Sequence, residues 1–366
     1  MKAASPSGPV PNQGSGLHPL LGQLFSLIAR RLRIQTEEGG RVLLVSIAYF
    51  LMMGGSIVGR NARDSLFLKN FGIQNLPYMY AASGLLLIVC ATLYSGLVGR
   101  VARRRFVAAS FLAFCGLLVG CRAMLGANAR WFYPIFYVVL QAISILSGLV
   151  FWTAIEDLFD RRQAKRLLPL VTVGGLLSIV VCGLATGPLV RLLGGSANVL
   201  LSWVGMLVAA VLLLDRVLRR YPPAPAAASR QRIGAGGAWL ESATQGLREL
   251  TTPGLLRAIA GIALASTVVF VLVDFQFSQL ANEAYSSQDE LTSFLGTFRG
   301  LTGFLALLIQ VVTTPWLIAT FGVGMTIAVE PVLMLLATAG MAVSLNFSTA
   351  FTAKFLDSVL FFTVQG

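Results

Sequence analysis

Apolar stretches of about twenty residues, the length a helix needs to cross a hydrocarbon core, recur along nearly all of this 366-residue sequence. A backbone in lipid must satisfy its own N–H and C=O groups, so only helices and closed barrels span a bilayer. The apolar runs here are continuous rather than alternating, which excludes a barrel. Charged residues make up only 12% of the chain and the mean hydropathy is +0.78. An ordinary soluble domain carries about 25% charge. The expected fold is therefore all-α: a polytopic transmembrane helical bundle. Ten spans are predicted, over residues 41–62, 77–99, 106–126, 132–155, 167–192, 197–215, 256–280, 291–314, 322–343 and 348–366.

Charge gives the orientation. The formal net charge is +13, which in a soluble protein would point to nucleic acid. Here Arg and Lys concentrate between spans, so topology accounts for them and no nucleic-acid partner is expected. GRVARRR (99–105), DRRQAKR (160–166) and the long link 215–255 are basic and fall on one side. The positive-inside rule makes that side, and the N-terminus, cytoplasmic. The opposite loop NEAYSSQDE (282–290) is acidic.

Residues 1–17 read as a disordered leader without the apolar core of a signal peptide. Residues 19–35 read as an amphipathic helix lying in the interface. The domain expectation is thus a leader and interfacial helix (1–40), a six-helix half (41–215), a cytoplasmic linker (216–255) and an incomplete four-helix half (256–366). Six helices plus six around a linker is the major-facilitator plan, with binding sites between the halves. The last span ends at TVQG, so the chain reads as truncated, with a possible C-terminal cytoplasmic domain absent from it.

Cys90, Cys115, Cys121 and Cys182 all lie in apolar runs without metal-like spacing, and the single histidine, His18, lies in the leader. No metal site and no enzymatic constellation is expected. What carries chemistry is the set of charges inside spans, because such charges are costly in lipid and face a cavity or a partner. At about 1.5 Å per residue, Arg60, Arg63, Asp274 and Arg299 fall at similar depth in spans one, seven and eight. Guanidinium groups fork onto phosphate or carboxylate oxygens, which suggests an anion site. The competing reading has the span-one arginines reaching the outer head groups and Asp274 simply pairing with Arg299. Gln276 and Gln279 add hydrogen-bonding capacity. Lys354 and Asp357 are expected to pair along span ten, or to be shared with a substrate. Glu330 beside Pro331 reads as a structural carboxylate or a partner for a freed donor. Gln141 and Gln310 read as interhelical glue.

FWTAIEDLFDRRQAKRLLPL (151–170) crowds both signs of charge between spans four and five. Glu156 and Asp157 facing Arg161, Lys165 and Arg166 form either a gate that locks neighbouring spans or a solvated loop. The segment's residue pattern resembles the bacterial ATP/ADP translocase (nucleotide transporter) family, a major-facilitator-like branch. RDSLFLKNFGIQNLPYMYAASG is similar to that family's first outer loop. VDFQFSQLANEAYSSQDELTSFLGTF is similar to its spans seven and eight, and AKFLDSVLFF to the start of its tenth. The resemblance covers residues 41–366. It implies a secondary transporter exchanging nucleotides across the bacterial inner membrane by alternating access, with no tightly held cofactor. It also implies phosphate contacts or exchange support from Arg63 or Arg60, Asp157, Asp274 and Lys354. Two departures matter: a family lysine near the end of span seven is Ser278, and an aromatic position in span eight is Arg299. Many relatives carry soluble domains after the last span. The same fold moving another organic anion or a lipid, or anchoring a cytoplasmic sensor, therefore stands as an alternative.

Overall fold

The computed structural model describes residues 36–97, 103–127, 129–156, 158–159, 161–221, 254–343 and 346–364. They form α1 (Thr36–Asn70), a 3-10 turn (Ile73–Asn75), α2 (Leu76–Leu97), α3 (Arg103–Leu125), α4 (Phe132–Glu156), α5 (Arg161–Leu193), α6 (Val199–Arg220), α7 (Gly254–Ala284), α8 (Gln288–Val343) and α9 (Phe347–Val364). Eight described helical stretches are long and apolar enough to cross a membrane. The leader, the interfacial helix expected over 19–35 and most of the expected linker lie outside the described residues.

Several boundaries differ from expectation: α5 begins at Arg161, within the expected 160–166 loop, and α6 runs on to Arg220; the two largest differences have a physical reason. α1 continues eight residues past the predicted edge of span one, through RDSLFLKN, so the first part of the expected outer loop, to Asn70, is helix. Nothing in that stretch breaks a helix, and Leu66, Phe67 and Leu68 are buried apolar anchors. The helix stops where Gly72 takes φ 99°, a conformation that glycine adopts without strain. Secondly, no loop interrupts residues 314–322; α8 is helical throughout. A straight helix from Phe294 to Val343 would measure about 74 Å, and four further residues reach at most about 14 Å. Yet the rings of Phe294 and Phe347 are 6.1 Å apart. α8 therefore reverses direction and contributes two legs. The expected junction offers a single proline, Pro315, and no charged residue to open a polar loop.

α1 is the central helix: α4, α5, α6 and α8 all pack on it. α2 lies at the periphery against α4, with Leu85, Ile88 and Val89 turned outward as a lipid-facing surface. Lipid tails give no hydrophobic drive for helices to associate, so such packing relies on small residues and close backbone approach. Three contacts use it. The fully buried Trp203 of α6 lies over Gly55 and Gly59 of α1, a G-x-x-x-G pair with no room for a side chain. Gly174 and Gly175 of α5 receive Ser46 and Tyr49 of α1. α5 and α8 cross where G183-x-x-x-G187 meets G296-x-x-x-G300. A Cβ on Gly183 would stand 2.7 Å from the Gly300 backbone. This last crossing holds the first six helices against α8 and brings Arg299 up to α1.

Candidate functional site

At the end of the bundle where α1 finishes and α7 turns into α8, the polar side chains converge. Counted from that end, Arg63, Asp274, Arg299 and Lys354 lie 7, 10, 11 and 7 residues deep, or roughly 10–16 Å. They occupy one layer on four helices.

Arg63 is almost fully buried, 4% exposed, so it does not reach toward head groups. Its Nε and Nη2 donate to Asp64 Oδ1 at 2.9 and 2.7 Å, its Nη1 donates to Gln141 Oε1, and its guanidinium lies 4.1 Å over the Tyr137 ring. Gln141 does join helices, by accepting from an arginine. Asp64's other oxygen, Oδ2, accepts from Arg299 Nη2 at 2.6 Å. Arg299 Nη1 also donates to Asn61 Oδ1, and Asn61 Nδ2 donates to Thr186 Oγ1 on α5 at 3.0 Å. Arg60 is exposed, with Arg63, Arg299 and Asp64 as its electrostatic neighbours.

Asp274 does not take Arg299 as its partner, so the competing reading of a simple Asp274–Arg299 pair does not hold. Its Oδ1 pairs with Lys354 Nζ at 2.9 Å and its Oδ2 accepts from Tyr80 at 2.5 Å. Arg299 remains within electrostatic range of Asp274, so the two groups of charges form one constellation. Lys354 also pairs with Asp357 at 2.9 Å, the pairing expected from their spacing along the helix, and its ammonium lies 4.2 Å from the Phe270 ring centroid. Gln276 and Gln279 are half-buried on α7, and Gln279 donates to Glu283 at 3.2 Å.

Summing charges, Arg60, Arg63, Arg299 and Lys354 stand against Asp64, Asp274 and Asp357. The positive excess lies on α1 and α8, and the carboxylate excess lies around Lys354 on α7 and α9. Isolated ions in such a setting are costly, and Arg63, Arg299, Lys354 and the three carboxylates are paired in fork and bridge geometries, with Arg60 the exposed member. The arginine pole presents donors that an anion could take up, whereas the lysine pole is closed by its own two carboxylates.

Sequence reasoning missed Asp64, Asn61, Tyr80 and Tyr137. Asp64 and Asn61 were legible once α1 was allowed to continue: Arg60 and Asp64 are four apart, on one helical face. Most of the expected gate falls outside what the structure describes. Asp157 and the side chains of Glu156, Arg161 and Lys165 lie outside the described residues, as do those of Gln310 and Glu330. Arg166 is described and half-buried.

Above the constellation the two parts of the bundle are clasped. Lys69 of α1 donates to the carbonyls of Asn282 and Tyr285 at 2.7 and 2.5 Å, at the C-terminal end of α7. Asn70 donates to Gln288, Ser65 bonds Thr292, and Ser196 donates to Asp289 Oδ1 through its backbone N–H at 2.7 Å. A cavity of about 570 Å³ lies beside this clasp, lined in part by Arg191, Tyr285, Asp289 and Glu290, rather than at the constellation.

A family model described as "TLC ATP/ADP transporter" matches residues 113–364. The chain is 22% identical over 221 residues to a plastidic ATP/ADP-transporter of Solanum tuberosum, covering 57% of this chain and 34% of that protein. It thus spans about a third of the length of that curated relative. Among solved structures, a bacterial homologue of the iron transporter ferroportin in its inward-facing state aligns over 87% of this chain and 81% of that one, with a TM-score of 0.55 and 13% identity. The inward-open xylose transporter XylE from E. coli aligns over 88% and 79%, with a TM-score of 0.50 and 16% identity. These likenesses carry the fold: a major-facilitator-type helical bundle.

Proposed function

This chain belongs to the TLC ATP/ADP transporter family, and on that footing we propose that it exchanges nucleotides across the bacterial inner membrane by alternating access. The observation that supports the reading best is the constellation itself, buried at Arg63 and Lys354 and open at Arg60. Three guanidinium groups and an ammonium lie on α1, α8 and α9, at the depth where a carrier would hold its cargo. In this reading the arginine pole, Arg60, Arg63 and Arg299, takes the phosphates, because a planar fork matches two phosphate oxygens. Lys354, held by Asp274 and Asp357, marks the other end of the site, with Gln276 on the same wall. The first six helices and α7–α9 are the parts that rock, and the clasp at Lys69 and Ser196 closes the outer side. Glu156 and Asp157 against Arg161, Lys165 and Arg166 would close the inner side in the alternate state. The cytoplasmic N-terminus follows from the basic loops.

Reconstitution tests it. Liposomes holding the full-length protein and loaded with ADP should take up labelled external ATP, and liposomes without internal nucleotide should not. Asp274→Ala leaves Lys354 without its α7 partner and should lower that uptake about tenfold or more. Unchanged uptake in this variant removes the lysine pole from the site. Uptake of phosphate or an organic anion in place of ATP assigns the fold a different cargo.

A further inference from the structure

We propose that Asp64 and Asn61, by holding Arg299, form the tie that makes this carrier an obligate exchanger. The proposal rests on the transport reading above and adds what couples cargo to movement.

The geometry is asymmetric. Asp64 Oδ1 takes two hydrogen bonds from Arg63, its neighbour on α1. Its Oδ2 takes one, from Arg299 on α8. Asn61, also on α1, accepts the other Arg299 donor. Arg299 is thus fastened to the first part of the bundle by both ends of its fork, while Asp64 keeps a second partner whatever Arg299 does. The exposure of these side chains is graded: 5% for Arg63, 15% for Asp64 and 26% for Arg299. Arg299 is the most accessible of the three, and the exposed Arg60 is its electrostatic neighbour, so an incoming anion meets Arg299 before Asp64 or Arg63.

Rocking α8 away from α1 breaks both bonds to Arg299. Without cargo, that leaves a guanidinium unpaired in a low-dielectric interior, which is strongly unfavourable. An anion that bonds Arg299 replaces Asp64 and Asn61 as its partner, and Asp64 falls back on Arg63. The loaded carrier therefore reorients without exposing an unpaired charge, whereas the unloaded carrier is held. Such a difference in barriers is what separates exchange from one-way movement.

Efflux of labelled ADP from liposomes holding the full-length protein reads this directly, into buffer with external ADP and into buffer without it. For the unaltered protein, external ADP should accelerate efflux by at least about tenfold, the effect of one charge-assisted bond. Asp64→Asn should bring that ratio close to one by raising efflux into plain buffer. Asn61→Ala, which removes one of the two bonds and no charge, should lower the ratio part of the way, and it serves where Asp64→Asn does not fold. A purely structural role predicts something else: slower efflux in both buffers at an unchanged ratio. An unchanged ratio in folded Asp64→Asn or Asn61→Ala overturns the tie while leaving the transport reading intact. No exchange by the unaltered protein overturns both.

Discussion

Arg299→Ala is expected to lower nucleotide exchange by about two orders of magnitude while leaving a folded, monodisperse protein. Removing one partner of a buried, hydrogen-bonded ion pair costs roughly 2–5 kcal/mol, much of it from the charge left behind. Asp64 is not stranded here, because Arg63 donates to it twice, so the fold should survive and the loss should fall on cargo binding. Arg299→Lys keeps the charge but lacks the planar fork that meets two oxygens of one phosphate, and is expected to sit between the alanine variant and the unaltered protein. The measurement is labelled-ATP uptake in liposomes, with detergent-phase thermal unfolding as the control for folding. Uptake within a factor of two of normal in the alanine variant would remove Arg299 from the site. The same variant separates the roles proposed for the two partners: Asp64→Asn should leak, whereas Arg299→Ala should fall silent.

Gly183→Val is expected to have the largest effect on stability. The added Cβ meets backbone atoms of Gly300, which cannot turn aside as a flexible side chain can. Overpacking of this kind costs about 1–3 kcal/mol when the neighbours can shift. Two facing G-x-x-x-G pairs leave α5 and α8 little freedom to do so. The midpoint of thermal unfolding in detergent should fall by roughly 5 °C or more, with transport falling as well, because Arg299 lies one residue from the crossing. Gly116→Val in α3 is the matched control, since a Cβ there meets nothing within 4 Å. Equal melting of the two variants would mean that the α5–α8 contact opens freely.

How much of this was readable in advance differs between elements. Long apolar runs cannot hide in a soluble fold, so the helical bundle was plain from residue order, though several ends of its legs were not. Lys354 and Asp357 were readable as a pair because three residues make almost one helical turn. Asp64 was not, because span one was ended at the first cluster of charge, where an aqueous loop is the ordinary explanation. What overrides it is tertiary: Ser65, Leu66 and Phe67 are buried beside other helices, and that burial carries the helix and its charges two turns further. The Lys354 partner of Asp274 is not legible in the sequence for a related reason. Depth along separate helices can be counted from a sequence, but which helices touch cannot, and α7 turned out to face α9 and the Tyr80 side of α2.

Residue order by itself determined a chain that can only be a helical membrane bundle, along with its charge asymmetry and a family kinship legible in short motifs. These properties depend on local periodicity and on transfer from water to lipid, and each segment expresses them alone. Only the tertiary structure decided that Asp64 stands between two arginines, that Lys354 bridges α7 and α9, and that glycine pairs bring α5 and α8 into backbone contact. Those facts depend on which faces meet across hundreds of residues, and in lipid, where apolar burial does not select partners, close packing and ion pairing make that choice.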